Sequence, residues 1–77
     1  RYPRLARRMG LEGQVKVSFT VCHDGKVTDI RVMESSGASI LDKCAIEAVK
    51  KTSPFPSQQL EAKVIIPIVY RLNGQKE

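Results

Sequence analysis

The chain has 77 residues, of which 13 are Lys or Arg and 8 are Asp or Glu, so its formal net charge is +5, and 42% of its residues are hydrophobic. This length fits one small domain with a thin core, which argues against a deep, water-excluding catalytic cavity. No apolar run approaches the ~20 residues that a membrane-spanning helix needs. Because the chain begins with Arg and shows no signal peptide, we expect residues 1–77 to be a single domain taken from a longer protein.

Cysteine and histidine are too few for a zinc site. The chain has two cysteines and one histidine, and its carboxylates are scattered, so we expect no metal ligation. Cys22 and Cys44 permit one disulfide, which needs α carbons within ~7 Å and an oxidising compartment. The sequence leaves a disulfide and two thiols both open, although the helical position of Cys44 favours a small core residue.

A short helix is predicted between Tyr2 and Gly10. Pro3 suits the first helical position, and a glycine suits the end of a helix. Leu5 and Met9 are four residues apart, so we expect them to share a face and to pack this helix on the body of the domain. The side chains expected to point toward water are Arg4, Arg7 and Arg8.

A β-hairpin is predicted next. After Glu12, apolar and polar residues alternate, which is typical of a half-buried strand. The dipeptide Asp-Gly at 24–25 is a strong hairpin signal, and a second β-rich run follows over 26–34. The apolar face of the first strand carries Val15, Val17, Phe19 and Val21.

Two registers of this hairpin are compatible with the pattern. If residues 24–25 are the central turn residues, Val17 pairs with Val32. A four-residue turn that starts at Cys22 pairs Val17 with Ile30 instead. Both registers keep the apolar side chains on one face, so the sequence predicts the face and leaves the register open.

An amphipathic helix is predicted from Ser39, because Ser39 and Asp42 have the spacing of a capping box. Glu47 and Lys51 are placed to form an i, i+4 ion pair. The two prolines that follow, the first of them Pro54, are expected to stop the helix. Its apolar stripe consists of Leu41, Cys44, Ala45, Ala48 and Val49.

The last predicted strand covers residues 62–72. Pro67 has no N–H to donate to a ladder, which places this strand at an edge of the sheet. Ile65 and Val69 occupy the face on which a solvated strand would carry charge. An edge that is apolar on both faces invites the addition of another strand.

These elements predict an α+β fold of two layers. It consists of a three-stranded antiparallel sheet with the long helix on one face, together with the short amino-terminal helix. We favour the spatial order second, first, third strand, because it makes the proline-containing strand an edge. The alternative places the third strand beside the second.

Several short motifs are similar, in order and spacing, to those of one family. They are Tyr2-Pro3, Ala6-Arg7, Gly10, Glu12-Gly13-Gln14-Val15, Phe19-Thr20-Val21, Asp24-Gly25-Lys26-Val27, Val32, Ser35-Ser36-Gly37, Leu41-Asp42, Ala45, Ala48-Val49, Phe55-Pro56 and Ile66-Pro67-Ile68. On these motifs, which span nearly the whole chain, the sequence resembles the C-terminal domain family of TonB, the periplasmic energy transducer of Gram-negative bacteria.

This resemblance implies a binding module that is not an enzyme and uses no cofactor. In the family, an amino-terminal inner-membrane helix associates with ExbB and ExbD, and a proline-rich periplasmic spacer leads to the C-terminal domain. That domain binds the Ton box, an extended segment of outer-membrane receptors for siderophores, haem, metal chelates or cobalamin, and the proton gradient powers the process. The resemblance therefore implies the periplasmic domain of a membrane-anchored protein.

An open apolar edge offers a physical route to such binding, because an added peptide strand gains a ladder of main-chain hydrogen bonds. We expect this ladder over 64–71, and we expect the basic helix to meet acidic receptor surfaces and to raise the encounter rate. The candidate partner-binding residues are Val64, Ile65, Ile66, Ile68, Val69, Tyr70 and Arg71 of the last strand and Arg4, Arg7 and Arg8 of the first helix.

The sequence also bears on four alternatives to Ton box binding by a single copy. The basic residues are spread along the chain and aromatic residues are few, which disfavours nucleic-acid binding. An enzyme would use Cys22 with His23, but neighbours along a strand face opposite ways. A TolA-like or other TonB-like envelope module with a different client has similar architecture, which fold alone does not distinguish. Two open edges also permit a strand-exchanged homodimer.

Overall fold

The computed structural model describes residues 2–56 and 60–72. Helix α1 spans Arg4–Arg8, strand β1 Gly13–Val21, strand β2 Val27–Glu34, helix α2 Ser39–Thr52 and strand β3 Ala62–Tyr70. The strands form one antiparallel sheet in the order β2-β1-β3, which confirms the predicted α+β fold and the favoured strand order. Within the described ranges, neither helix has the length and apolar character that crossing a bilayer requires.

Strand β1 is the centre of the sheet. It pairs with β3 without any shift of register, from Gly13 opposite Tyr70 to Val21 opposite Ala62. Its alternating apolar side chains are buried, as the twofold pattern predicts. Strand β3 is therefore paired with β1 along its whole length.

The turn of the β1–β2 hairpin is the four-residue turn starting at Cys22 that the second predicted register assumes, but the pairing next to it, with Val21 opposite Val27, matches neither register. The Gly25 N–H donates to the Cys22 carbonyl over 2.9 Å, and the Cys22 N–H donates to the Lys26 carbonyl over 2.8 Å. The central turn residues are therefore His23 and Asp24. Gly25 follows in the left-handed region with φ 89°, and it adds a bulge that neither predicted register included.

A second irregularity in β2 corrects the register. Val17 lies opposite Val32, as the first predicted register requires, but Thr20 lies opposite Thr28, which is one residue out of step. The shift falls at Asp29, whose φ of 56° is left-handed. Asp tolerates this conformation better than most residues. The bulge keeps the apolar side chains of β2 on the core side despite the offset at the turn.

The core lies between α2 and one face of the sheet. Helix α2 packs mainly on β1 and β2. The inward-facing residues of β3, namely Val64, Ile66 and Ile68, are consequently only half-buried. The buried apolar side chains are Ala6, Val15, Val17, Phe19, Val21, Leu41, Ala45, Val49 and Tyr70.

Helix α2 begins at Ser39, as predicted, but its cap is different. The N-cap residue is Ala38, which has no side-chain cap. The Asp42 carboxylate accepts hydrogen bonds from the Ser36 N–H at 3.0 Å, from the Ser36 hydroxyl at 2.7 Å and from the Ser35 hydroxyl. The predicted Ser39 cap is wrong because the preceding loop brings these earlier serines to the carboxylate. Burial raises the pKa of Asp42, but these hydrogen bonds outweigh it and the pKa is lowered.

Helix α1 docks by contacts other than the predicted pair. Leu5 and Met9 are 55% and 59% exposed, whereas Ala6 is fully buried. The ring of Tyr2, which lies before the helix, packs on Tyr70. The prediction for Leu5 and Met9 is wrong because the small Ala6 lets the helix backbone approach the core and turns the larger side chains outward.

Two side-chain predictions for α2 had different outcomes. Glu47 forms its ion pair with Lys50 at 3.8 Å rather than with Lys51, because both positions lie on the same helix surface. Cys44 is half-buried against the core, as predicted, and both Cys22 and Cys44 are thiols.

Candidate functional site

Strand β3 has one unoccupied side. It pairs with β1 along its length, and within residues 2–56 and 60–72 no strand pairs with its other side. Ile65 and Val69, which lie on the sheet face opposite the core, are 55% and 50% exposed. The edge therefore combines unpaired backbone groups with exposed apolar side chains.

The other edge of the sheet, formed by β2, is built differently. Its register with β1 is shifted twice, and Asp29 forms a bulge. Its side chains include charged ion pairs, Arg31 with Asp29 at 3.8 Å and Glu34 with Lys16 at 3.6 Å. Bulges and charges are two means by which proteins prevent strand addition. The two edges are therefore not equivalent, and β3 is the better acceptor.

Pro67 fixes which backbone groups of β3 face the unoccupied side. It lies opposite Lys16 in an unbroken register. A proline within a ladder has its nitrogen on the side without a neighbouring strand. Because backbone direction alternates along a strand, the N–H groups of Lys63, Ile65 and Val69 face the same way. These three residues supply the N–H donors of the open edge. The same three residues and Pro67 supply its carbonyl acceptors.

The predicted partner-binding residues of the last strand therefore divide into groups. Ile65 and Val69 offer both backbone groups and exposed side chains, and Arg71 is exposed just after the strand. Tyr70 is only 3% exposed, so its side chain belongs to the core. Three half-buried side chains flank the edge on the helix side, and these are Val64, Ile66 and Ile68.

The segment just before the predicted basic cluster packs on the end of β3. The Tyr2 and Tyr70 rings meet edge-on with centroids 5.3 Å apart, and the Tyr2 hydroxyl donates to the Leu11 carbonyl. Tyr2, the residue two positions before helix α1, is thereby held at the carboxyl end of β3, and Arg71 is exposed just after that end. The exposed cations of the helix are Arg4, Arg7 and Arg8.

A shallow pocket of about 360 Å³ lies at this end of the sheet, lined by Glu12, Gly13, Gln14, Val69, Tyr70 and Arg71. The Glu12 carboxylate accepts the Leu72 N–H at 3.0 Å, a contact that follows the end of β3 at Tyr70. Burial and then the Glu12 carboxylate raise the pKa of Tyr2, and the Arg7 guanidinium partly offsets them.

The buried Tyr70 hydroxyl has no partner at standard hydrogen-bond geometry. Burial, and then the neighbouring Cys44 thiol, raise the pKa of Tyr70. The phenol therefore stays protonated and neutral at physiological pH, which suits its position in the core.

The two residues of the alternative Cys22–His23 site have different surroundings. His23 is exposed in the turn, and the Cys22 Sγ atom lies 3.6 Å from the Thr28 hydroxyl. Among the residues that the structure describes, no group of three or more His, Cys, Asp or Glu side chains is arranged to hold a metal ion.

Sequence reasoning missed two features of the site. The bulge at Asp29, which protects the β2 edge, has only a weak signal in the tolerance of Asp for left-handed backbone. The contact of Glu12 with the Leu72 N–H joins positions 60 residues apart and has no local signal.

Comparison with known proteins assigns the family. A family model described as Gram-negative bacterial TonB protein C-terminal matches residues 1–72. Protein TonB of Helicobacter pylori (strain ATCC 700392 / 26695) is 45% identical over 73 residues, which are 94% of this chain and 26% of that protein. Protein tonB2 of Pseudomonas aeruginosa is 38% identical over 76 residues, covering 94% of this chain and 28% of that protein. The chain thus spans little more than a quarter of these relatives.

Solved structures agree with this assignment. The solution structure of the Helicobacter pylori TonB-CTD matches with a TM-score of 0.87 at 43% identity, covering 97% of this chain and 71% of that one. The solution structure of the Pseudomonas aeruginosa TonB CTD matches with a TM-score of 0.79 at 26% identity, covering 99% of this chain and 81% of that one. The chain therefore belongs to the TonB C-terminal domain family.

Proposed function

We propose that this domain is the receptor-binding domain of a TonB-type energy transducer and not an enzyme. It captures the Ton box of outer-membrane receptors by strand addition to β3. The whole protein is anchored in the inner membrane, works with ExbB and ExbD, and uses the proton gradient to drive periplasmic pulling for the uptake of siderophores, haem, metal chelates or cobalamin. Family membership supports the transducer role. The unoccupied β3 edge is the observation that supports capture.

Main-chain hydrogen bonds suit a domain that must hold a strand under load and then release it. Strand β3 is nine residues long, and alternate residues direct their backbone groups to the open side. Each hydrogen bond contributes only ~1 kcal/mol net, so the complex stays reversible. Several bonds loaded together resist a pull along the strand better than a single side-chain contact does.

Side chains on both faces of the edge add apolar contact. A bound strand places alternate residues beside Ile65 and Val69 on one face and beside the half-buried Val64, Ile66 and Ile68 on the other. Cross-strand pairs of this kind contribute roughly 0.2–1 kcal/mol each. These pairs favour a client with apolar residues at alternate positions.

The basic cluster acts on association. Arg4 and Arg8 are exposed on α1, and Arg71 is exposed just after the carboxyl end of β3. Exposed charges raise the rate of encounter with an oppositely charged surface more than they raise the final affinity. The matching partner surface is acidic.

Titration of the isotopically labelled domain with a Ton box peptide tests this proposal, with a scrambled peptide of the same composition as the control. We expect amide chemical-shift changes over residues 62–71 with the first peptide alone. Saturating peptide without changes there, or with changes confined to β2, would contradict strand addition to β3. A domain that serves a different envelope client would leave the Ton box peptide unbound.

A matched pair of proline variants sharpens the test. Ile65→Pro removes an N–H that faces the open side, so we expect weaker peptide binding with the fold retained. Ile66→Pro removes an N–H that faces β1 opposite Val17, so we expect loss of stability instead. If Ile65→Pro binds the peptide as tightly as the original chain does, the open edge is not the binding strand.

A further inference from the structure

We propose that Pro67 makes the β3 edge selective against a second copy of the same chain. A client strand that adds to this edge loses one hydrogen-bond donor at Pro67, whereas two copies paired edge to edge lose two. The part of this comparison that concerns a client strand rests on the proposed function. The part that concerns the pairing of two copies depends only on the sequence and register of β3.

The position of Pro67 ensures that any extensive self-pairing includes both prolines. Strand β3 spans Ala62–Tyr70, so Pro67 lies one residue from its midpoint. A two-fold symmetric pair of edges is antiparallel, and each copy contributes the same residues. A pairing centred on residue 66 or 67 overlaps nearly the whole strand and contains Pro67 twice.

Both of these registers leave two acceptors without donors. Because Pro67 and Ile65 both direct backbone groups to the open side, a pairing centred on residue 66 places Pro67 opposite Ile65 at two positions. A pairing centred on 67 places Pro67 opposite its own copy. In each case two N–H groups are missing and two facing carbonyls lack a partner. A foreign strand meets a single Pro67 and leaves one carbonyl unpaired.

Other means of preventing self-association are weak on this edge. The register between β3 and β1 has no bulge, and Lys63 is the one charged residue in the strand. Ile65 and Val69 expose about half of their surface. By contrast, β2 carries a bulge and several charges. Long, regular and apolar edges without such devices self-associate, so Pro67 carries most of the protection of β3.

Pro67→Ala tests the proposal directly, and Pro56→Ala is the matched control because Pro56 is exposed in the loop after α2. Each restored hydrogen bond corresponds to about fivefold in an equilibrium constant. We expect Pro67→Ala to dimerise about 30-fold more tightly in sedimentation equilibrium and to bind the Ton box peptide at most about fivefold more tightly. Pro56→Ala should leave both constants unchanged.

Two further variants keep the test decisive. One covers the case in which Pro67→Ala does not fold, and the other distinguishes the effect of the missing N–H from the effect of the proline ring. If Pro67→Ala loses its fold, Pro67→Val provides the N–H in a residue with higher strand propensity. A synthetic chain with N-methylalanine at position 67 lacks the N–H and the ring, and it should remain as monomeric as the original. A folded Pro67→Ala or Pro67→Val that stays monomeric, or an original chain that already dimerises through β3, overturns the proposal. Tighter dimerisation of Pro67→Ala without any peptide binding upholds this inference and contradicts the proposed function.

Discussion

Tyr2 packs edge-on against Tyr70, with ring centroids 5.3 Å apart and ring planes at 82°. This contact joins a residue near the start of the chain to the last residue of β3. It is accompanied by the hydrogen bond from the Tyr2 hydroxyl to the Leu11 carbonyl. The pair of tyrosines therefore holds the residues that precede the basic helix against the end of the candidate binding edge.

Replacement of Tyr2 should release helix α1. Tyr2→Ala removes an aromatic pair worth ~0.5–1.5 kcal/mol beyond area burial, together with buried ring surface, so we expect a total loss of about 2 kcal/mol in the free energy of unfolding. Tyr2→Phe keeps the ring and loses only the hydroxyl, for an expected loss of about 1 kcal/mol. Urea unfolding measures both values, and equal losses would show that the ring contact is not what docks the helix.

Gly25 is expected to tolerate substitution less well than Gly37. Both have left-handed backbone, with φ values of 89° and 92°, and this conformation costs other residues roughly 1–2 kcal/mol. A Cβ at Gly25 would lie 1.9 Å from the Phe55 carbonyl oxygen, whereas a Cβ at Gly37 meets nothing within 4 Å. Thermal unfolding of Gly25→Ala and Gly37→Ala should therefore show the larger loss for Gly25→Ala. Similar losses would mean that Phe55 moves aside without cost.

Asp42 should make the stability of the domain depend on pH. Its pKa is lowered in the folded state by the hydrogen bonds of Ser35 and Ser36. The corresponding stability is present above the ordinary pKa of 3.8 and is lost as the pH falls through the lower folded value. Because the carboxylate is partly solvated, Asp42→Asn should cost only about 1 kcal/mol at pH 7. Urea unfolding should show this difference shrinking below pH 3.8, and a constant difference at all pH values would exclude the ionised carboxylate as its source.

Charge reversal in α1 should slow the association of a receptor. Arg4→Glu with Arg8→Glu reverses exposed cations of α1, whereas Lys43→Glu with Lys51→Glu makes the same change in net charge on α2. Stopped-flow measurements with the periplasmic face of a receptor should show a lower association rate for the first variant, an effect that salt weakens. Equal rates for both variants would show that overall charge, and not the position of the cluster, controls the encounter.

The fold was largely predictable because its signals are periodic and local. The twofold alternation around Phe19 predicts the apolar face of β1. The apolar face of α2 is predicted by the helical spacing of Leu41, Ala45 and Val49, and the structure buries all four residues. Pro67 indicated the edge position of β3 from its chemistry alone.

The errors arose where local patterns compete with tertiary contacts. The spacing of Leu5 and Met9 predicts a packed face, but a helix of five residues is placed by Tyr2 and Ala6 instead. The hairpin turn contains a glycine bulge that a second bulge at Asp29 offsets. Each bulge alone would move the following side chains of β2 to the opposite face of the sheet, so the register can be read only from the complete strand.

Hydrogen exchange at the Ile65 and Val69 amides tests the central claim most directly. These N–H groups face the open side of β3, whereas the Val64 and Ile66 N–H groups face β1. Ton box peptide at 100 times its Kd should slow exchange at Ile65 and Val69 by about 100-fold. Unchanged exchange at Ile65 and Val69 under the same saturating peptide would contradict capture by strand addition.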